Sequence, residues 1–193
     1  MTKEELIAFE QEIADAFGRG EIRGPTHLVG GNETTLIHLF KDIKKTDWVF
    51  STYRSHYHAL LHGVPVDKVR AEIMAGRSMN MFFPEHRFFT SAIVAGCLPI
   101  AVGVAYAMKR NGEEGKVWCF IGDMAATTGI FSESYKFIQA NRLPIIVQIE
   151  DNGLSCNSPT NAAWGPYDDC NDADGYIYDR TYPHVGIDKW VQF

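Results

Sequence analysis

The sequence lacks any basic cluster: no basic run is longer than the two residues of Lys44-Lys45, and the formal net charge is −6. Polynucleotide binding draws most of its affinity from clustered Lys and Arg against phosphates, so the charge excludes a nucleic-acid partner. Paired cysteines are lacking too. Cys97, Cys119, Cys156 and Cys170 form no C-x-x-C, and Cys119 falls inside an apolar run, the pattern of reduced thiols and not of a disulfide framework. Nor is there a long hydrophobic run. The most apolar stretch, Ala92 to Met108, is 17 residues and is interrupted by Gly96, Pro99 and Gly103, at the lower limit for a membrane span. It reads as a buried core helix starting near Ser91, with no membrane association. The opening MTKEELIAFEQEIADAF is acidic and helix-periodic, unlike a secretory signal or an Arg-rich transit peptide, and a cytoplasmic location is expected.

What is present suits one α/β domain over residues 1–193, with a loop-rich, acidic and aromatic segment from about 161 that holds Asp168, Asp169, Asp172, Asp174 and Asp179. Thr2 and Glu5 make a capping box, and Leu6, Phe9, Ile13 and Phe17 recur at helical spacing, which predicts a helix over 3–17. Further helices are expected over 33–40, 66–75 and 131–140, and strands over 48–52, 117–121 and 145–149.

The last two strands carry the chemistry. One delivers Gly122-Asp123 and the other Asp151-Asn152, and 29 residues separate Asp123 from Asn152, the length of a helix returning between parallel strands. Both pairs therefore emerge at one carboxyl edge, where open α/β sheets bind ligands. An acid and an amide there suit a hard cation, magnesium carried by a diphosphate, with the carbonyl of Leu154 as a third ligand. Ala125, Ala126 and Gly129 are small enough for backbone amides to approach an anion. His56, His58 and His62 fit no zinc spacing, and the Asp172-x-Asp174-Gly175 run lacks the acids an EF-hand loop needs at Cys170 and Thr181.

From about Ile22 to Thr160 the sequence resembles the alpha subunit of thiamine-diphosphate-dependent 2-oxo acid dehydrogenases, in a shortened form. The resemblance is carried by IRGPTHLVGGNETT, DWVFSTYRSHYHALLHGVP, GRSMNMF, SAIVAGCLPIAVGVAYA and FIGDMAATTGIFSESYKFIQANRLPIIVQIEDNG. It implies a three-layer sandwich with a mainly parallel sheet, the diphosphate-binding module of that fold. It also implies thiamine diphosphate and Mg2+ as cofactors, the metal held by Asp123, Asn152 and Leu154. Tyr53, Arg54, Ala92, Val94, Gly122, Asp123, Met124, Ala125 and Asn152 are the implied cofactor contacts, the planar fork of Arg54 suiting phosphate oxygens. His27, His56 and His184 are the residues implied for substrate protons, His56 either touching substrate or orienting the Tyr53-Arg54 loop. The implied partner is a beta-type subunit bearing the pyrimidine-binding domain and its glutamate, in an α2β2 heterotetramer acting on a 2-oxo acid. Two departures stand out: Met124 where the family has glycine, and Asp151 where it has asparagine. Asp151 is also a transketolase-like feature, which leaves ketol transfer from a ketose as one alternative reading, and Met124 with the shortened loops leaves a non-catalytic subunit as another.

Overall fold

The computed structural model describes residues 1–165, 173–189 and 191; the acidic stretch with Asp168, Asp169, Cys170 and Asp172 lies outside the described residues. Its centre is a six-stranded sheet in the order β2-β3-β1-β4-β5-β8, formed by β1 (Trp48–Ser51), β2 (Phe82–Phe83), β3 (Phe88–Thr90), β4 (Val117–Gly122), β5 (Ile145–Asp151) and β8 (Asp174–Ile177). Every pairing is parallel except β2 with β3. A separate two-stranded ribbon joins β6 (Leu154–Ser155) to β7 (Ser158–Pro159).

Strand alternation splits the core into two clusters, one on each sheet face. Trp118 and Phe120 of β4 pack with α1 (Lys3–Gly18), α2 (Glu33–Leu39), α3 (His56–Leu61) and α4 (Val66–Met74). Val117, Cys119 and Ile121 pack with α5 (Cys97–Asn111), α6 (Asp123–Ala126) and α7 (Gly129–Asn141). The result is a helix–sheet–helix sandwich with a mostly parallel sheet, as the sequence implies.

The first helix starts as expected: the Thr2 hydroxyl accepts from Glu5 N–H at 3.2 Å while the Glu5 carboxylate accepts from Thr2 N–H at 2.7 Å. The structure departs from expectation in three respects. The apolar helix begins at Cys97, not near Ser91, because the chain turns at Ala95 (φ 56°), and a Cβ on Gly96 would lie 2.7 Å from the Ile93 side chain. Pro99 then falls in the first turn, where its missing N–H costs nothing. That helix buries one face only; Ile100 and Tyr106 are exposed on the other. The third departure is local structure that short, ambiguous runs concealed: α3, β2 and β3, and the short helix α8 (Thr160–Trp164) within the segment expected to be loop.

Ala95 is buried in a left-handed conformation that costs an L-residue about 1–2 kcal/mol, more than the roughly 0.5–1 kcal/mol of backbone entropy that glycine gives up. Ala95→Gly is therefore expected to raise the melting temperature by about 2–4 °C. A lowered melting temperature would show that the methyl's packing outweighs the backbone strain.

Candidate functional site

Because β1, β4 and β5 are parallel neighbours, their carboxyl ends meet at one edge, and a cleft opens there. Its walls come from Thr52–Arg54 after β1, Gly122–Ala125 at the β4–α6 junction, and Asn152, Leu154 and Ser155 after β5. Ile93–Ala95 before α5, together with Glu150 and Tyr178, close it. The structure thus brings together Tyr53, Arg54, Val94, Gly122, Asp123, Met124, Ala125, Asn152 and Leu154, which lie far apart in sequence. Ala92, His27, His56 and His184 are not among the cleft-lining residues.

Asp123 is buried, and its Oδ2 accepts a hydrogen bond from the Thr160 hydroxyl of α8. Desolvation raises its pKa above the usual carboxylate value, and Thr160 opposes the rise only in part. The Asn152 amide is oriented at both ends: Oδ1 accepts from Leu154 N–H at 3.1 Å, and Nδ2 donates to the Tyr178 hydroxyl at 3.1 Å. An amide oxygen has a second lone pair, so Asn152 keeps capacity toward a ligand. A Cβ on Gly122 would meet no atom within 4 Å, so at this position the chain's own packing does not demand glycine. The Met124 sulfur is engaged by the Trp164 indole N–H at 3.0 Å and by the Thr127 hydroxyl at 3.7 Å, so α8 holds both ends of the Asp123-Met124 pair.

Arg54 is buried on the cleft wall. Its Nη1 donates to the Leu28 carbonyl at 2.5 Å and its Nη2 to the His184 carbonyl at 3.1 Å. Five N–H donors on one guanidinium leave others for an anion. His27 Nδ1 lies 2.6 Å from the same His184 carbonyl, and the His27 ring sits 4.4 Å from Tyr53 and 4.6 Å from His184, centroid to centroid. The two histidines therefore form a cluster behind Tyr53. Burial holds the His27 pKa down to about 4, and burial likewise lowers that of His184.

That shift has a pH consequence. With the folded pKa of His27 below its unfolded value of about 6.5, the unfolded chain takes up a proton that the folded chain refuses. Stability is lost as pH falls from about 6.5 toward 4, by up to about 1.4 kcal/mol per pH unit. His27→Gln is expected to flatten the fall between pH 6.5 and 4.5. Urea unfolding of both proteins across that range checks it, and parallel curves would refute it.

His56 requires a correction. It is fully buried, with Nδ1 2.8 Å from Glu10 Oε1 and Nε2 2.8 Å from Ser78 Oγ, so substrate contact is closed to it and orientation of the Tyr53-Arg54 loop is what it can do. His58 and His62 turn to other partners, the Glu150 carboxylate at 3.1 Å and the Asp47 carbonyl at 3.2 Å. Ala92 sits on the rim, its N–H donating to Asn80 Oδ1 at 3.3 Å. Sequence reasoning missed Glu10, Glu150 and Thr160. Glu10 carried a signal: it lies on the apolar Leu6-Phe9-Ile13 face of its helix, where a carboxylate needs a buried partner. Glu150 is the penultimate residue of β5, and its carboxylate accepts from the Tyr176 hydroxyl and lies near His58 and Asn32 Nδ2.

With this geometry in place, comparison with known proteins is decisive. The family model of the dehydrogenase E1 component matches residues 1–175. The chain belongs to the dehydrogenase E1 component family. This E1-family chain is 34% identical over 161 residues to the pyruvate dehydrogenase E1 component subunit alpha of Porphyra purpurea, covering 75% of this chain and 47% of that one. Against the Zymomonas mobilis subunit alpha it is 32% identical over 166 residues, covering 80% and 47%. It therefore spans about half the length of the curated relatives it matches. Among solved structures, an enzyme from Mycobacterium smegmatis assigned as thiamin-diphosphate-dependent aligns with a TM-score of 0.48 at 18% identity, over 70% of this chain and 23% of that one.

Proposed function

We propose that this chain is the diphosphate-binding, alpha-type subunit of a thiamine-diphosphate-dependent enzyme acting on a 2-oxo acid. The observation that carries the reading is the cleft, which gathers an Asp–Asn oxygen pair and a buried arginine at the carboxyl edge of a parallel sheet in an E1-family chain. The residues present fit the cofactor. Asp123 is a desolvated carboxylate whose raised pKa a divalent cation beside it would reverse. The donor set of carboxylate, amide and backbone carbonyl oxygens suits Mg2+, and the open space over Gly122 leaves room for phosphate oxygens.

Asp123 and Asn152 would hold the metal with the Leu154 carbonyl, and Arg54 the diphosphate. Val94 and Ala95 would supply an apolar wall to the aminopyrimidine. The cofactor, when bound, supplies the carbanion chemistry that breaks the carbon–carbon bond beside a 2-oxo carbonyl. The chain's own work is to bind, orient and exclude water. His27, neutral at physiological pH, and His184 lie behind Tyr53 and outside the cleft lining, so a role in substrate protons would be exercised through Tyr53 or with the partner in place.

A partner is part of this reading. Ile93, Val94 and Ile100 are 70%, 51% and 46% exposed at the cleft rim and on α5, with Tyr106 and Phe137 also exposed across α5 and α7. Exposed apolar residues beside the cofactor cleft suit a protein-docking face, here fitted to a beta-type subunit with the pyrimidine domain. A two-plus-two assembly would place such a cleft at each contact. Asp151 gives no weight to ketol transfer, since its Oδ1 accepts from Gly153 N–H at 2.7 Å in a turn that asparagine makes equally well.

Calorimetric titration of the chain, with its partner subunit, by thiamine diphosphate in the presence and absence of Mg2+ tests the reading. Metal-dependent binding followed by turnover of a 2-oxo acid supports it. No binding under either condition would refute it.

A further inference from the structure

Glu10 lies at the middle of α1, in the apolar face, fully buried. Its Oε1 accepts from Val29 N–H at 2.7 Å and lies 2.8 Å from His56 Nδ1, and its Oε2 is 3.1 Å from the same nitrogen. On the far side of the ring, His56 Nε2 meets the buried Ser78 hydroxyl at 2.8 Å. A serine, a histidine and a glutamate in line resemble a nucleophilic triad, but all three are fully buried and none lines the cleft.

Each contact instead fastens a segment that builds the site. Val29 follows Leu28, whose carbonyl receives Arg54 Nη1, and lies two residues from His27. His56 begins α3, two residues after Arg54 on the cleft wall. Ser78 precedes Asn80, whose Oδ1 receives the N–H of Ala92 at the start of the rim segment. Three loops distant in sequence are thus tied to one carboxylate and one imidazole behind the cleft.

We infer that Glu10 is a positioning residue: through Val29 N–H and the His56–Ser78 pair it fixes the relative placement of Arg54, Tyr53 and His27. Its consequence for cofactor affinity rests on the function proposed above; the placement itself does not. A buried donor that loses its acceptor is strongly penalised, so removing the carboxylate should open these loops locally before it unfolds the sheet.

The test is hydrogen–deuterium exchange on the complete chain, comparing the parent with Glu10→Met, which keeps volume but accepts no strong hydrogen bond, and with the milder Ser78→Ala. Glu10→Met is expected to speed exchange about tenfold in residues 26–30 and 52–57 while residues 117–121 and 145–149 keep their protection. Ser78→Ala is expected to speed residues 52–57 and its own loop at 76–80 but not residues 26–30, since the Val29 bond is untouched; should Glu10→Met fail to fold, this variant decides. Uniform acceleration across the sheet, or none in either loop, would overturn the inference. In parallel, thiamine diphosphate with Mg2+ is titrated into each protein with the partner subunit. Weaker binding by the variants at unchanged circular dichroism supports the positioning role, and equal affinity with opened loops overturns it. A parent that binds no cofactor counts against the proposed function, while the exchange result still decides the placement.

Discussion

Asp123→Asn is expected to abolish Mg2+-dependent thiamine diphosphate binding and, in the same protein, to raise the stability of the cofactor-free chain. The two effects share one cause. Asp123 is buried, and desolvation raises its pKa above the unfolded value, so the fold disfavours the ionised form. The penalty is absent below the unfolded pKa, near 3.8–3.9, grows as pH rises toward the folded value, and is complete above it. Asparagine removes the charge, while its Oδ1 can still accept from the Thr160 hydroxyl. A higher melting temperature at pH 7 is expected, with the difference vanishing near pH 4. The same substitution removes the only charged metal ligand proposed for the cleft, and a loss of cofactor affinity of at least about a hundredfold follows. Differential scanning calorimetry separates the two. Saturating cofactor at about 100 times its dissociation constant should stabilise the parent by about 2.7 kcal/mol and leave the variant unmoved. A variant that still responds to cofactor and Mg2+ would exclude Asp123 as the metal ligand.

How far the sequence disclosed this site depended on the kind of force acting at each position. The strand–helix–strand spacing around Asp123 and Asn152 was legible because parallel strands must be joined by a returning helix, whatever the side chains do. Layering was legible as well, since the apolar periodicity of α1 and the apolar runs of β4 and β5 each satisfy a single geometry. The role of His56 was not. Whether a histidine beside Tyr53-Arg54 faces the cleft or the core is decided by the orientation of α3 and by the carboxylate that α1 brings to it from Glu10, whose place on an apolar face signals a buried partner without saying which. Likewise, nothing near Thr160 in sequence says that its hydroxyl meets Asp123, 37 residues away. The true start of α5 was hidden because Ser91–Gly96 is as small and apolar as the helix it precedes, and only the left-handed turn at Ala95 separates them.

Gly31→Ala is expected to be strongly destabilising. Gly31 has φ +99°, a conformation in which L-residues are strained by about 1–3 kcal/mol, and its Cβ would lie 1.9 Å from the backbone carbonyl oxygen of Asp179. That oxygen belongs to the segment from Tyr178 to Ile187, which lies along the loops before α2: Thr181 N–H donates to the Gly30 carbonyl at 3.2 Å, and Gly186 N–H to the Thr26 carbonyl at 2.8 Å. The backbone cannot yield by rotating a side chain, so the segment must lift. A cost of about 3 kcal/mol, or about 6–12 °C in melting temperature, is expected. Gly63→Ala is the control, because Gly63 has a similar φ of +92° with nothing within 4 Å of the added carbon. It carries the conformational strain without the collision and should cost about 1–2 kcal/mol. The difference between the two variants measures how firmly the Tyr178–Ile187 segment is seated. Lifting it also withdraws the His184 carbonyl from both Arg54 and His27. Gly31→Ala should therefore become cleavable by protease between residues 178 and 187 and lose cofactor affinity, whereas Gly63→Ala should do neither. Equal melting temperatures for the two variants would mean that this segment does not brace the site.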